Sequence, residues 1–115
     1  MQIAVARARA LVESARAYVS CTWQEAECAV LDGSAPTTDT LVRLRLSYVA
    51  ATENAATATD LAYRAAGSSA LFEDQGLERC WRDAHAVTQH VAVSSRHLER
   101  IGQVMLGLTP GPGLL

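Results

Sequence analysis

The sequence contains no lysine: all ten of its basic side chains are arginine. Aromatic residues make up only 5% of its 115 positions, with a single Phe. The net charge is −2, and no aromatic residues are interleaved with the arginines. Nucleic acid is therefore not an expected partner. Three cysteines, Cys21, Cys28 and Cys80, are too few and too irregularly spaced for a disulfide framework. Cys21 and Cys28 fall on one predicted helix, about 10 Å apart along its axis, which is beyond disulfide reach. Reduced thiols and a cytoplasmic location are the expectation. No stretch approaches the roughly 18 apolar residues of a membrane-spanning helix, so no membrane partner is expected. The start, Met1 to Arg7, passes directly into an amphipathic pattern without the order of a signal peptide.

What is abundant is alanine, at helical spacing. Residues 2–31 carry Arg9, Glu13, Arg16, Ser20, Gln24 and Glu27 as one polar stripe, opposite Ala4, Leu11, Ala15, Tyr18, Thr22 and Ala29. Val12, Val19 and Trp23 widen the apolar arc on one side, Ile3 and Cys21 on the other. So broad an arc calls for cover from more than one direction. Leu31 to Thr38 is a loop, with Gly33 suited to a helix stop and Pro36 to the next start. A second helix is predicted from about Asp39 to Ala66, with the stripe Leu41, Leu44, Tyr48, Ala51, Ala55, Ala58 and Ala62, ending at Gly67. A third follows a short connection, capped by Asp74 and running from about Gln75 to Val91, with Leu77, Trp81, Ala84, Val87 and Thr88 inward. Trp23 and Trp81 read as core. A fourth helix begins after Ser94 or Ser95, turns Leu98, Ile101, Val104 and Met105 inward and closes at Gly107. No segment alternates with period two. The fold class is all-α: an elongated up-and-down antiparallel helical bundle of three long rods, the third broken into two helices near Ala92. Residues 1–107 form the bundle domain and 108–115 a flexible C-terminal tail.

The polar groups of the second half each have two readings. His90 and His85 are five apart, not the four that lets two imidazoles share a metal on one helix face, and no metal site is expected. His90 is either hydrogen-bonded in place or a proton donor or acceptor near neutral pH. Glu78–Arg82 and Arg79–Asp83 are i,i+4 pairs; they form a solvated ladder, or an Arg there meets an anionic cofactor or a partner carboxylate. Ser68 and Ser69 after Gly67 are a plain helix stop or a set of donors for a phosphate.

From Leu61 to Gly107 the chain resembles the last domain of the acyl-CoA dehydrogenase superfamily, and within it the flavin-dependent monooxygenases. The likeness is carried by Ala65-Ala66-Gly67-Ser68-Ser69-Ala70, Leu77-Glu78-Arg79-Cys80-Trp81-Arg82-Asp83-Ala84-His85, Thr88-Gln89-His90 and Ile101-Gly102-Gln103-Val104-Met105-Leu106-Gly107. The resemblance implies a helical bundle at the centre of a homo-oligomer, a dimer or tetramer, that contributes part of a site for FMN or FAD. It implies that Gly67, Ser68 and Ser69 contact the flavin near its phosphate. It implies that His90 is the catalytic acid/base group beside flavin and substrate, and that Arg82 with Asp83 is a structural pair orienting the helix. A flavin reductase would be a further partner. The dehydrogenase branch carries a catalytic Glu near this point, and this sequence has none between Glu78 and Glu99.

The family also has an N-terminal helical domain and a middle β-barrel that close over the flavin. A flavin held on one bundle face alone stays open to water. The expectation is an incomplete enzyme, inactive in isolation, that meets a partner chain carrying the missing domains. The alternative is a stand-alone helical scaffold or subunit that self-associates or completes a split enzyme without catalysis of its own. A third reading is a small-molecule pocket between the second and third helices, along the alanine-rich half of the second.

Overall fold

Helix α1 spans Gln2–Leu31. Its covered side carries Ala4, Ala8, Leu11, Ala15, Tyr18, Thr22, Ala26 and Ala29, steps of three and four that fall on one face. Gly33, at φ +77°, takes the left-handed turn that side chains with a Cβ disfavour. Ser34 then closes the helix end, its N–H and its hydroxyl both donating to the Ala29 carbonyl at 2.9 and 2.8 Å. The Thr37 hydroxyl accepts the Thr40 N–H at 3.1 Å and caps α2, Thr38–Ala66. The computed structural model describes residues 1–71 and 76–109, apart from the side chains of Ser69 and Leu71. Asp74 and Gln75, expected to open the third helix, and residues 110–115 of the expected tail lie outside the described residues.

Past α2 the chain makes a 3-10 turn, Gly67–Leu71, then α3, Leu77–Thr88, a second 3-10 turn, Val91–Val93, and α4, Arg96–Met105. Among the described residues every regular element is helical. The third rod is broken, as its pattern suggested, but α3 is shorter than the expected 75–91 and His90 lies beyond it, in the break. Helix α2 is central: α1 packs along one side of it, and α3 and α4 pack along another. Each pairing is antiparallel. Thr22 meets Ser47 and Glu25 meets Arg43 on the α1 side. On the other side Asp60 meets His85, Arg45 meets Ala92 and Val42 meets Ile101. The molecule measures 51 × 28 × 23 Å, and its radius of gyration of 17.0 Å exceeds the roughly 13 Å of a compact chain of about 100 residues.

The α1–α2 seam is close because its buried residues are small. Thr22 and Ser47 are both 0% exposed and their hydroxyls meet at 2.9 Å. Each also reaches a carbonyl of its own helix, Tyr18 or Val19 for Thr22 and Leu44 for Ser47. With one proton per hydroxyl, one donates across the seam while the other donates along its helix. Above them Arg43 grips Glu25 through two bonds of 2.8 and 3.2 Å. The pair is partly exposed, so its contribution stays near the ~1 kcal/mol ceiling of solvated pairs. On the far side Val42 and Ile101, 1% and 2% exposed, form the α2–α4 core with Leu46 and Val104 against them.

Four expectations change. The buried line of α2 is not the one stripe from Leu41 to Ala62: Ala58 of that stripe is buried but Ala55 is exposed, and Val42, Val49 and Ala56 are buried at seven-residue spacing on the other side, because α2 is covered on two sides. Trp23 is 53% exposed rather than core. Leu98 and Met105 do not face in; they are 37% and 61% exposed, since α4 touches α2 through one narrow stripe centred on Ile101. Val87, expected to face in from α3, is 52% exposed. Of the two serines offered as the start of α4, Ser94 is the one whose hydroxyl accepts the Arg96 N–H, at 3.4 Å, while Ser95 makes no side-chain cap bond.

Candidate functional site

The strongest polar cluster joins α2 to α3. Trp81 and His85 are four apart on α3 and so share a face. Both donate to the same oxygen of Asp60 on α2: Trp81 Nε1 at 2.6 Å and His85 Nε2 at 2.9 Å from Oδ1. The indole lies between the Tyr63 ring, 5.5 Å away, and the His85 ring, 4.7 Å away. The hydrogen bond from His85 holds the Asp60 carboxyl below its usual range and the bond from Trp81 adds to this; burial opposes them less strongly than either bond, and the neighbouring His85 and Arg64 lower it a little further. A charge-assisted acceptor with two donors fixes the roll of α3 on α2.

Beside this cluster lies a polar cleft of ≈ 330 Å³ lined by Glu53, Ala56, Thr57 and Asp60 of α2, His85 and Thr88 of α3, and Gln89, Val93 and Ser95 of the break. It occupies the place where a pocket between the second and third helices was expected, but its walls are acidic and hydroxylic rather than alanine alone.

His90 is exposed and caps the Val91–Val93 turn, its Nδ1 accepting the Ala92 N–H at 3.2 Å. Its other ring nitrogen has no hydrogen bond among the described residues. Gly67 ends α2 at φ +58° and its N–H donates to the Arg64 carbonyl, so that donor is already used. A Cβ at Gly67 would meet nothing within 4 Å; the backbone angle, not space, asks for glycine here. Ser68 is exposed. The Gly67 turn precedes α3 and His90 follows it, and the 12 residues of α3 rise about 18 Å. One chain does not gather Gly67, Ser68 and His90 into the polar cleft, which none of the three lines. Arg82 pairs with Glu78 at 3.5 Å and Arg79 with Asp83 at 3.6 Å, all exposed. These are the two i,i+4 pairs that the spacing suggested; Arg82 and Asp83 each belong to one of them.

Residues 1–95 match the family described as "Acyl-CoA dehydrogenase, C-terminal domain". The chain belongs to that family. Among curated proteins it is similar to an indole-3-acetate monooxygenase of Pseudomonas putida, 33% identical over 114 residues, covering 99% of this chain and 29% of that protein. It is also similar to the oxygenase component of p-hydroxyphenylacetate 3-hydroxylase of Acinetobacter baumannii, 28% identical over 105 residues, covering 90% of this chain and 25% of that protein. The chain thus spans between a quarter and three-tenths of the length of these relatives. No solved structure matches it. No described helix of this acyl-CoA dehydrogenase C-terminal-type domain is long and apolar enough to cross a membrane.

Two bridging side chains escaped the sequence reading. Asp60 looked like one more polar residue of an alanine-rich helix, although a carboxylate in line with Ala56 and Glu53 on a partly covered face calls for a donor. Arg45 gave no signal, because its partner is a backbone carbonyl 47 residues away.

Proposed function

We propose that this chain is the C-terminal oligomerisation and flavin-contact domain of a flavin-dependent monooxygenase, acting within a larger assembly. The observation that carries the reading is the alignment of nearly the whole chain with proteins named as a monooxygenase and an oxygenase component, in a family defined as a C-terminal domain. A reductase partner and reduced FMN or FAD follow from the same resemblance, and the word "component" in the second relative's name is in keeping with it.

The exposed donors fit a flavin at the level of chemistry. The exposed Ser68 at the Gly67 turn has a hydroxyl with no partner among the described residues, suited to a phosphate oxygen, with Ser69 next to it in sequence. Gly67 supplies the turn rather than a donor, since its N–H is engaged. His90 presents an imidazole edge to solvent. When bound, the flavin supplies the redox chemistry that activates oxygen. This chain's part is to hold the phosphate end, to place His90 against ring or substrate, and to help exclude water. With α3 between the two groups, a flavin site shared between subunits suits the geometry: one copy gives the serines, another gives His90.

The apolar grooves between α1 and α2 support association. One of ≈ 410 Å³ is lined by Val12, Ala15, Val19, Ala51 and Ala55, with Arg16 and Ser20 at its rim. One of ≈ 420 Å³ is lined by Val5, Ala8, Val12, Ala55, Ala58 and Ala62, with Arg9 and Thr59 beside them. They share Val12 and Ala55 and form one channel suited to a helix of a second copy. The same channel favours the second reading, a scaffold that associates without catalysis.

Thermal melts of the purified chain with reduced FMN and with FAD separate the two. A ligand at about 100 times its Kd raises stability by about 2.7 kcal/mol. A melt moved by one flavin, and no longer moved in Ser68→Ala, supports the flavin-contact reading. No shift with either flavin, in a chain that sediments as an oligomer, leaves the scaffold. A monomer untouched by flavin removes both.

A further inference from the structure

The break between α3 and α4 is held by three side chains acting on two consecutive peptide groups. His90 Nδ1 accepts the Ala92 N–H at 3.2 Å. An N–H bonds only to a ring nitrogen that carries no proton, so a neutral His90 has its proton on Nε2. The carbonyl of that same peptide group belongs to Val91, and it accepts from His97 Nε2 at 2.7 Å. A carbonyl can only accept, so this nitrogen of His97 carries a proton. One peptide plane therefore joins two imidazoles, with His97 donating into its oxygen and its N–H donating out to His90. A bond accepted at the oxygen polarises the amide and strengthens the bond its N–H gives.

The next peptide group is held as well. The Ala92 carbonyl accepts from the Arg45 guanidinium of α2 at 2.9 Å. The carbonyls of Val91 and Ala92 close a turn of only three residues, with no following helical turn to satisfy them. Two side chains from outside the turn do so, one from α2 and one from α4. The His97 N–H in turn donates to the Ser94 carbonyl at 3.0 Å, which seats its ring at the start of α4.

We infer that Arg45 and His97 are positioning residues for His90 and hold its ring as the Nε2–H tautomer. The inference rests on the proposal that His90 faces flavin or substrate. In that setting His90 meets its ligand as a hydrogen-bond donor, toward a carbonyl, ring nitrogen or oxyanion, and does not take a proton at Nε2. Of the two roles open to this histidine, donor and acceptor, the turn selects the donor.

The test is a two-bond proton–nitrogen correlation spectrum of the full chain labelled at histidine nitrogen, free of flavin, in mildly alkaline buffer. His90 is expected to show an unprotonated Nδ1 and a protonated Nε2. His97→Leu and Arg45→Met are expected to move His90 toward the mixed tautomers of free imidazole. His97→Gln, which returns an N–H donor at the same reach, is expected to restore the original pattern. A protonated Nδ1 or a tautomer mixture at His90 in the unaltered chain overturns the inference, whatever the variants do. So does an unchanged His90 pattern in both His97→Leu and Arg45→Met. Because no flavin is present, a wrong tautomer leaves the flavin-contact reading standing, and a failed flavin titration leaves the tautomer result standing.

Discussion

Asp60 and His85 meet at 2.9 Å across the α2–α3 interface, and the same carboxylate oxygen takes the Trp81 indole N–H at 2.6 Å. Nothing in α3 is fully buried, so the helix is not held by a core of its own. It is held by this three-residue knot and by the Tyr63–Trp81–His85 ring stack. Asp60→Ala removes the acceptor from both donors at once. A loss of about 1–2 kcal/mol is expected, the range of a charge-assisted hydrogen bond discounted for partial exposure, seen as a fall of several degrees in Tm. Asp60→Asn keeps an oxygen acceptor without the charge and should fall between the two.

The same carboxylate sets an acid limit. The folded state holds Asp60 below its ordinary value of 3.8, so in the window between the two values the unfolded chain binds more protons than the folded one. Stability from this group is complete above the ordinary value and is lost as pH falls through the lower, folded one. Melts from neutral pH into acid should therefore drop less steeply for Asp60→Asn than for the unaltered chain. Parallel curves would mean that the carboxylate is not held by His85 and Trp81 in solution.

Helix boundaries and the polar cluster differ in how far residue order reveals them. The 30-residue α1 follows from the polar stripe that runs from Arg9 to Glu27 and from Gly33 and Pro36 behind it. The two-sided burial of α2 does not, because Val42, Val49 and Ala56 lie nearly opposite the stripe Leu44, Ala51 and Ala58, and a search for one apolar face takes the stronger stripe and leaves the other unread. The end of α3 carries no Gly or Pro; it is made by His90 and Ser94 bonding to nearby backbone, which a periodicity search passes over. Asp60 and Arg45 were invisible for a related reason: their partners lie 21 to 47 residues away, beyond any i,i+4 rule. The family motifs, by contrast, were legible as ordered blocks from Leu61 to Gly107; the family match runs over residues 1–95, so it shares the blocks up to His90 and also takes in the first two helices, where no motif was read.

Helix α4 is attached chiefly through Ile101 against Val42, with Leu46 and Val104 beside them. Ile101→Ala should cost about 2–4 kcal/mol, the range for emptying a buried aliphatic site. The loss should be local. Hydrogen exchange is expected to rise through Arg96–Met105 while the α1–α2 seam keeps its protection. Equal loss of protection in α1 would mean that the molecule unfolds as one unit.

The hydroxyl pair of the α1–α2 seam should be worth little despite its complete burial. In Thr22→Val the Ser47 proton turns wholly to the Leu44 carbonyl, and in Ser47→Ala the Thr22 proton turns to Tyr18 or Val19. No donor is orphaned in either case. A double-mutant cycle should give a coupling of about 0.5–1 kcal/mol, that of a net neutral hydrogen bond, rather than the larger cost of an unsatisfied buried group. Replacement by bulk is another matter: Ser47→Leu forces a 0% exposed position apart and should cost about 1–3 kcal/mol.

The apolar channel gives the most direct check on association. Ala55 is exposed, yet it borders both halves of the groove, so a long charged side chain there blocks the channel without entering the chain's own core. Ala55→Arg retains good helix propensity and should leave the stability of an isolated protomer within about 0.5 kcal/mol. Sedimentation of the unaltered chain should show an oligomer that Ala55→Arg converts to monomer, with unchanged helical circular dichroism. Glu27→Gln, at the rim of the separate cleft formed by Trp23, Ala26, Val30, Leu31 and Pro36, serves as the control and should leave association as it was. An oligomer that survives Ala55→Arg would move the contact away from the α1–α2 groove, and Trp23, exposed on that second cleft, would be the next position to alter.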